Sequence, residues 1–393
     1  MSGMNAPSQA PTIPSAQIPA LTLPRTLFAA GAIQSLRAEL TSLGVRRPLV
    51  VSDQGLVAAG VMARVIAACG TAVTAVPFDN VTENPLYADV NAGAAVYSSH
   101  DCDGVIAVGG GSVIDTAKMI ALLATNVGSV ADYAGKPNVP HGVTAPLVVI
   151  PTTAGTGSEA SPSAGIHPDA VTASVGMNSR HLVPRLAILD PELTVSLPRR
   201  LTAATGIDAL SHCIEGYLSL RDQPLAKNIA LDGIRRVIRY LPRAVDDGSN
   251  IEARGEMMLA AFAGGVSIGM GLGPAHAVAI TCSDQGFHHG ILSGIGLIAT
   301  IDATAAHVPD QMAPVIAAFG LPAGSSLALA VATLMHELNL PTSLAELGYA
   351  VGDLVTMAAA AERSHFNLSA PFRPNASQYA VFLAQSLQLE NIA

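Results

Sequence analysis

The chain has no tryptophan, and its 393 residues include only three lysines, Lys118, Lys136 and Lys227. Aromatic residues make up 4%, so stacking against an aromatic substrate is not signalled. A net charge of −9 argues against a nucleic-acid partner, because phosphate binding needs a basic face. Four cysteines, Cys69, Cys102, Cys213 and Cys282, form no CxxC pair. They read as reduced, packed thiols of a cytoplasmic protein rather than a disulfide framework. Residues 1–20 lack the positive start and apolar core of a signal peptide. They are polar and rich in proline and alanine, and read as a loose arm. The longest uncharged run, Met257–Ser283, is interrupted by glycines, Pro274 and His276, which argues against a membrane span.

What the chain has in quantity is small and branched apolar residues, 50% hydrophobic overall, spread evenly. Helices and parallel strands buried on both faces have that composition. Residues 21–197 alternate short apolar runs with helical stretches, the rhythm of a parallel α/β sheet. Strands are expected at Arg47–Asp53, Thr71–Phe78, Asp103–Gly109, Ala145–Ile150 and Pro184–Asp190. Helices are expected at Ser35–Leu43, Gly55–Cys69, Leu86–His100 and Gly110–Leu123. Asp190–Pro198, with two prolines, reads as a bridge. Residues 198–393 then read as all-helical. The expected architecture is a Rossmann-like α/β domain followed by an all-α domain.

Two loops carry ligand chemistry. Gly109-Gly-Gly-Ser112 follows a strand and opens a helix. Bare glycine backbone permits close approach, and the first N–H groups of a helix are unpaired at a positive dipole end. A diphosphate suits that place, and so does an unliganded tight turn. Pro151-Thr-Thr-Ala-Gly-Thr-Gly-Ser-Glu159 also follows a strand, so the two loops would flank the crevice at the carboxyl ends of one sheet. The expected cofactor contacts are Gly109, Gly110, Gly111, Ser112, Asp115, Thr152, Thr153, Thr156 and Ser158. Asp53, at another strand end, could accept hydrogen bonds from an adenosine ribose and repel a 2′-phosphate, favouring NAD over NADP. A helix cap explains it equally well. Lys118 reads as a structural or field residue.

The stretch Leu201–Tyr217 reads as a helix carrying Asp208 and His212. Residues four apart share a helix face, so the two side chains make half of a metal site or a simple buried pair.

Together, Gly109–Lys118, Pro151–Glu159, Asp190-Pro-Glu-Leu193, Thr205–His212 and Gly271-Leu-Gly-Pro-Ala-His276 resemble the iron-containing (group III) alcohol dehydrogenase family, from about residue 22 onward. The resemblance implies the two-domain plan shared with dehydroquinate synthase, NAD(H), and a divalent metal in the cleft, Fe(II) favoured and Zn(II) admissible. Asp208, His212 and His276 match metal ligands. The fourth ligand is a His followed by Gly, which selects His289 over its rival His288. His276 and His289 are thirteen residues apart, about 20 Å along an unbroken helix, so the helix must break, and Ser283–Gly286 offers the place. The family's second histidine, four residues after the third ligand, is here Ile280, which leaves proton transfer to water, the cofactor ribose or His288. Its asparagine-rich stretch is here Ile291–Gly296. A lysine common near Ser174 is absent, and a glycine after the early Phe28 is Ala29.

The implied activity is hydride transfer between NAD(H) and a small aliphatic alcohol or aldehyde, with or without an acid group, in a homodimer or larger homo-oligomer. Arg254, Arg363 and Arg373 are read as solvated, or as meeting such an acid. Rival readings are a maleylacetate reductase, a hydroxyacid–oxoacid transhydrogenase, a dehydroquinate-synthase-like lyase (disfavoured by three lysines) and a non-catalytic nucleotide-binding protein.

Overall fold

The computed structural model describes residues 20–136 and 141–389. Most of the expected N-terminal arm lies outside these residues. The first half is built on strands β1 (Arg25–Phe28), β2 (Pro48–Val51), β3 (Val76–Phe78), β4 (Gly104–Gly109), β5 (Leu147–Pro151) and β8 (Leu186–Leu189), in the order β1-β8-β5-β4-β2-β3. All the pairings are parallel. Successive strand residues point to opposite faces, and here both faces are covered. Val50, Ile106, Val148 and Ile188 pack on one side with Leu36 and Leu40 of α1 (Leu36–Leu43) and Val61 and Val65 of α3 (Val61–Cys69). Leu49, Val51, Val105 and Val149 pack on the other side, where Val90 of α4 (Tyr87–Ser99) and Ile114 and Ile120 of α5 (Gly111–Leu123) lie. This double burial is why the strands read as continuous apolar runs.

Several elements depart from the sequence expectation. The helix expected over Gly55–Cys69 is two, α2 (Gln54–Ala58) and α3, broken at Gly60 with φ 73°. β3 keeps only the last residues of the expected run. The edge strand β1 and the antiparallel hairpin β6 (Ser163–Ile166) and β7 (Val175–Asn178) were not expected. A short helix, α6 (Val130–Tyr133), follows α5. The bridge holds a 3-10 turn, Pro191–Thr194. Its first carboxylate, Asp190, is fully buried and accepts hydrogen bonds from the amides of Gly31, Ile33 and Glu192.

The second half is helical as expected: α7 (Arg199–Leu218), α8 (Pro224–Asp246), α9 (Ile251–Ile268), α10 (Pro274–Thr281), α11 (His289–His307), α12 (Pro309–Ala318), α13 (Leu327–Glu337), α14 (Leu344–Leu347), α15 (Leu354–Arg363) and α16 (Ala376–Ser386). α7 is the axis of this half, buried over nearly its whole length among α8, α9 and α11. Among the described residues one helix, α11, is long and apolar enough to cross a membrane. Most of it is buried inside the protein, and its apolar length is core packing.

The two halves meet closely at the loop after β5. Gly157, at φ 62°, lies against Gly265 of α9, and a Cβ added to it would stand 2.2 Å from the Gly265 nitrogen. The loop is therefore wedged between the sheet and the helical half.

Candidate active site

Asp208 and His212 lie on α7, His276 in the first turn of α10, and His289 opens α11. Each offers one donor atom, and the four donors lie within 4.8 Å of one another. Asp208 Oδ2 is 3.9 Å from His212 Nδ1, and Asp208 Oδ1 is 4.0 Å from His276 Nε2 and 3.8 Å from His289 Nε2. The His212 and His276 rings stack at 4.7 Å between centroids. Asp208, His212 and His276 are buried, whereas the His289 side chain is 41% exposed. The cluster is closed at the back and open at the front. The break that folds His289 back onto His276 falls where it was expected, in the 3-10 turn Ser283–Gln285 and at Gly286 with φ 74°.

His212 Nδ1 and His276 Nε2 are buried and have no hydrogen-bond partner among the described residues. Two buried orphan nitrogens facing a carboxylate are costly in a protein interior. A divalent ion among the four donors satisfies all of them, so the residues present fit the metal that the sequence implied. Burial pushes the His212 pKa down to about 3, against the pull of Asp208 and of the Gly155 carbonyl. Partial desolvation, with the His276 and His288 rings nearby, lowers the pKa of His289 against the pull of Asp208. For Asp208 burial works upward, but the surrounding imidazoles of His212, His289 and His276 outweigh it and hold the carboxyl below its ordinary range. Neutral imidazoles around an ionised carboxylate are the ligand forms a divalent cation requires.

Two further side chains, Glu215 and Ser293, back the four donors. Glu215 is 5% exposed and contacts His276 Nδ1 at 2.6 Å. Ser293 donates to Asp208 Oδ1 at 3.1 Å. The spacing held both signals. Asp208, His212 and Glu215 follow i, i+4, i+7 on one helix face, and Ser293 is four residues after His289. His288 is not part of the cluster. Its Nδ1 accepts from the Gly290 amide at 3.1 Å and caps α11, and burial lowers its pKa.

The two loops are in contact with each other. A Cβ on Gly111 would stand 2.6 Å from Thr156 Cγ2, and one on Gly110 would stand 3.2 Å from Thr153 Cγ2. The Thr152 amide donates to the Gly109 carbonyl. Gly110, Gly111, Ser112, Thr153 and Thr156 reach the surface, whereas Gly109, Thr152 and Ser158 are buried beneath it. The Ser112 hydroxyl donates to the Glu83 carbonyl. Asp115 turns its carboxylate to the Gly165 amide at 2.8 Å. Asp53 Oδ1 caps α2 by accepting from the Leu56 amide at 2.9 Å. Lys118 is fully buried and donates to Ser161 and Ser163, the structural role expected of it. Arg254, read as solvated or as meeting an acid group, is neither. It is 3% exposed and donates to Gly248, Thr202 and Leu197, tying α9 to the start of α7.

The profile of iron-containing alcohol dehydrogenases matches residues 24–191, and that of the family's C-terminal part matches residues 202–386. The chain belongs to the iron-containing alcohol dehydrogenase family. It is 40% identical to a 4-hydroxybutyrate dehydrogenase of Cupriavidus necator, over 91% of this chain and 96% of that one. It is 32% identical to an NAD-dependent methanol dehydrogenase of Bacillus methanolicus, over 85% and 91%. The crystal structure of a 1,3-propanediol oxidoreductase superposes with a TM-score of 0.87 at 29% identity, over 93% and 99%. The expected family and two-part fold are therefore found, and the chain is an NAD-dependent dehydrogenase of the iron type.

Proposed function

We propose that this enzyme moves a hydride between NAD(H) and a small aliphatic alcohol or aldehyde, with or without an acid group. The site is formed around a divalent metal held by Asp208, His212, His276 and His289, with iron(II) preferred to zinc(II) on the strength of the family. The observation that carries the reading is the convergence of those four donor atoms beside the loop Pro151–Glu159, whose Gly155 lies against Thr205 of α7. When bound, the ion and the nicotinamide supply what side chains cannot, Lewis acidity at the substrate oxygen and a hydride acceptor or donor.

The chain's own residues do the rest. The free N–H groups at the start of α5, with Thr153 and Thr156 opposite, would seat a diphosphate. Asp53 would accept from the adenosine ribose with the carboxylate oxygen that the α2 cap leaves free. His288 spends Nδ1 on its helix cap, so Nε2 is the edge that would exchange a proton. Burial favours its neutral, accepting form. The scarcity of aromatic residues and the relatives' printed substrates, 4-hydroxybutyrate, methanol and 1,3-propanediol, support a short aliphatic substrate. The test is an anaerobic preparation with metal analysis, assayed with NADH against a panel of aldehydes and oxoacids and with NAD against the corresponding alcohols. Metal-loaded protein without NAD(H)-linked turnover on any of them overturns the proposal.

A further inference from the structure

Glu215 lies on α7, just under one turn beyond His212, and its two oxygens take three N–H groups from the start of α10. Oε1 accepts from the Ala275 amide at 2.7 Å. Oε2 accepts from the His276 amide at 3.3 Å and stands 2.6 Å from His276 Nδ1. Both oxygens already accept backbone N–H groups, so the remaining contact is closed by the proton on Nδ1, and Nε2 keeps its lone pair. That Nε2 is the buried nitrogen with no other partner, facing Asp208. The approach depends on the residue before α10, because a Cβ on Gly273 would stand 2.9 Å from Glu215 Oε1.

We propose that Glu215 is a positioning residue for the metal site, a role that rests on the metal reading above. It selects the tautomer of His276, fixes the plane of its ring, and anchors the first turn of α10 to α7 so that the third ligand cannot drift from the first two. A carboxylate behind a ligating imidazole also makes the ring a stronger donor, and loss of such a partner typically weakens metal binding about 10–100-fold.

The test compares wild type with Glu215→Gln, an isostere without the charge. Both are stripped of metal and titrated with Co(II) and with Zn(II) against a chromophoric competing chelator. The unfolding midpoint of each metal-free protein is measured alongside, since a merely structural role would appear there and not in affinity. The expected result is a folded metal-free variant whose Co(II) and Zn(II) dissociation constants rise about 10–100-fold and whose Co(II) absorption bands shift. Affinities within twofold of wild type and unchanged bands overturn the role. Should Glu215→Gln not fold, the same titration on Glu215→Asp decides. The shorter arm cannot span both Ala275 and His276, and wild-type affinity there overturns the role as well. Wild-type protein that takes up neither ion removes the metal reading itself, an outcome distinct from any difference between variants.

Discussion

Gly157 and Gly265 touch backbone to backbone. A Cβ on Gly157 would meet the Gly265 nitrogen at 2.2 Å and the Ala261 carbonyl at 2.4 Å, and Gly157 itself sits at φ 62°. Gly157→Ala must therefore both strain the loop and push α9 away from it. A loss of about 3 kcal/mol is expected, with a raised KM for NAD because the same loop faces the first turn of α5. Denaturant unfolding and cofactor titration check this, and a variant with wild-type stability would contradict the packing described.

Metal removal should reveal how far the ion holds the helical half together. The two orphan nitrogens among the four donors gain partners only on binding. A ligand present at about 100 times its Kd stabilises by about 2.7 kcal/mol. Chelation should lower the thermal midpoint and abolish turnover, and Fe(II) or Zn(II) should restore both. Asp208→Asn should lose the effect of added metal. An unchanged midpoint after verified stripping would count against the site.

His288→Ala should lower turnover about 10²-fold, the scale of a lost proton donor or acceptor, with metal content unchanged because His288 stands outside the four donors. The helix cap is lost too, so stability is recorded beside activity. Full turnover in the variant removes His288 from the proton path.

Asp190 ties the start of the bridge to the first half by accepting from the amides of Gly31, Ile33 and Glu192. Asp190→Ala strands the buried Ile33 amide and frees two partly buried ones, and should cost about 2 kcal/mol, whereas Asp190→Asn, which keeps one acceptor oxygen, should lose less. Equal stability of all three proteins in urea would refute the assignment.

Glu159 supplies a pH signature. Burial pushes its pKa up to about 7, although its own amide and Lys118 pull the other way. The folded state thus holds this proton more tightly than the unfolded chain does. Its contribution is full below the ordinary glutamate range and is lost as pH rises to about 7. Stability measured from pH 5 to pH 8 should fall less steeply in Glu159→Gln than in wild type. An identical slope would mean that Glu159 is ionised throughout.

The parts legible in the sequence were those whose chemistry is local. The glycine loops follow strands, Asp208 and His212 are one turn apart, and the helix break at Ser283–Gly286 is written in its turn residues. The positions of the buried strands and the helical second half followed from apolar patterning. β1, β6 and β7 escaped. They are no shorter than β2 and β8, but those two are buried throughout whereas β1, β6 and β7 are partly exposed, so they do not stand out as continuous apolar runs.

By itself the sequence determined the two glycine-bearing loops behind their strands, the shared helix face of Asp208 and His212, and the α/β-then-α plan, because each depends on neighbours along the chain. Tertiary structure decided the rest. It brought His289 back onto Asp208 and His276, buried Arg254 in a structural role, and put Glu215 behind His276. Residues that distant in sequence meet only after α7, α10 and α11 have packed, since the energy that fixes their contact comes from burying whole helices and not from the residues themselves.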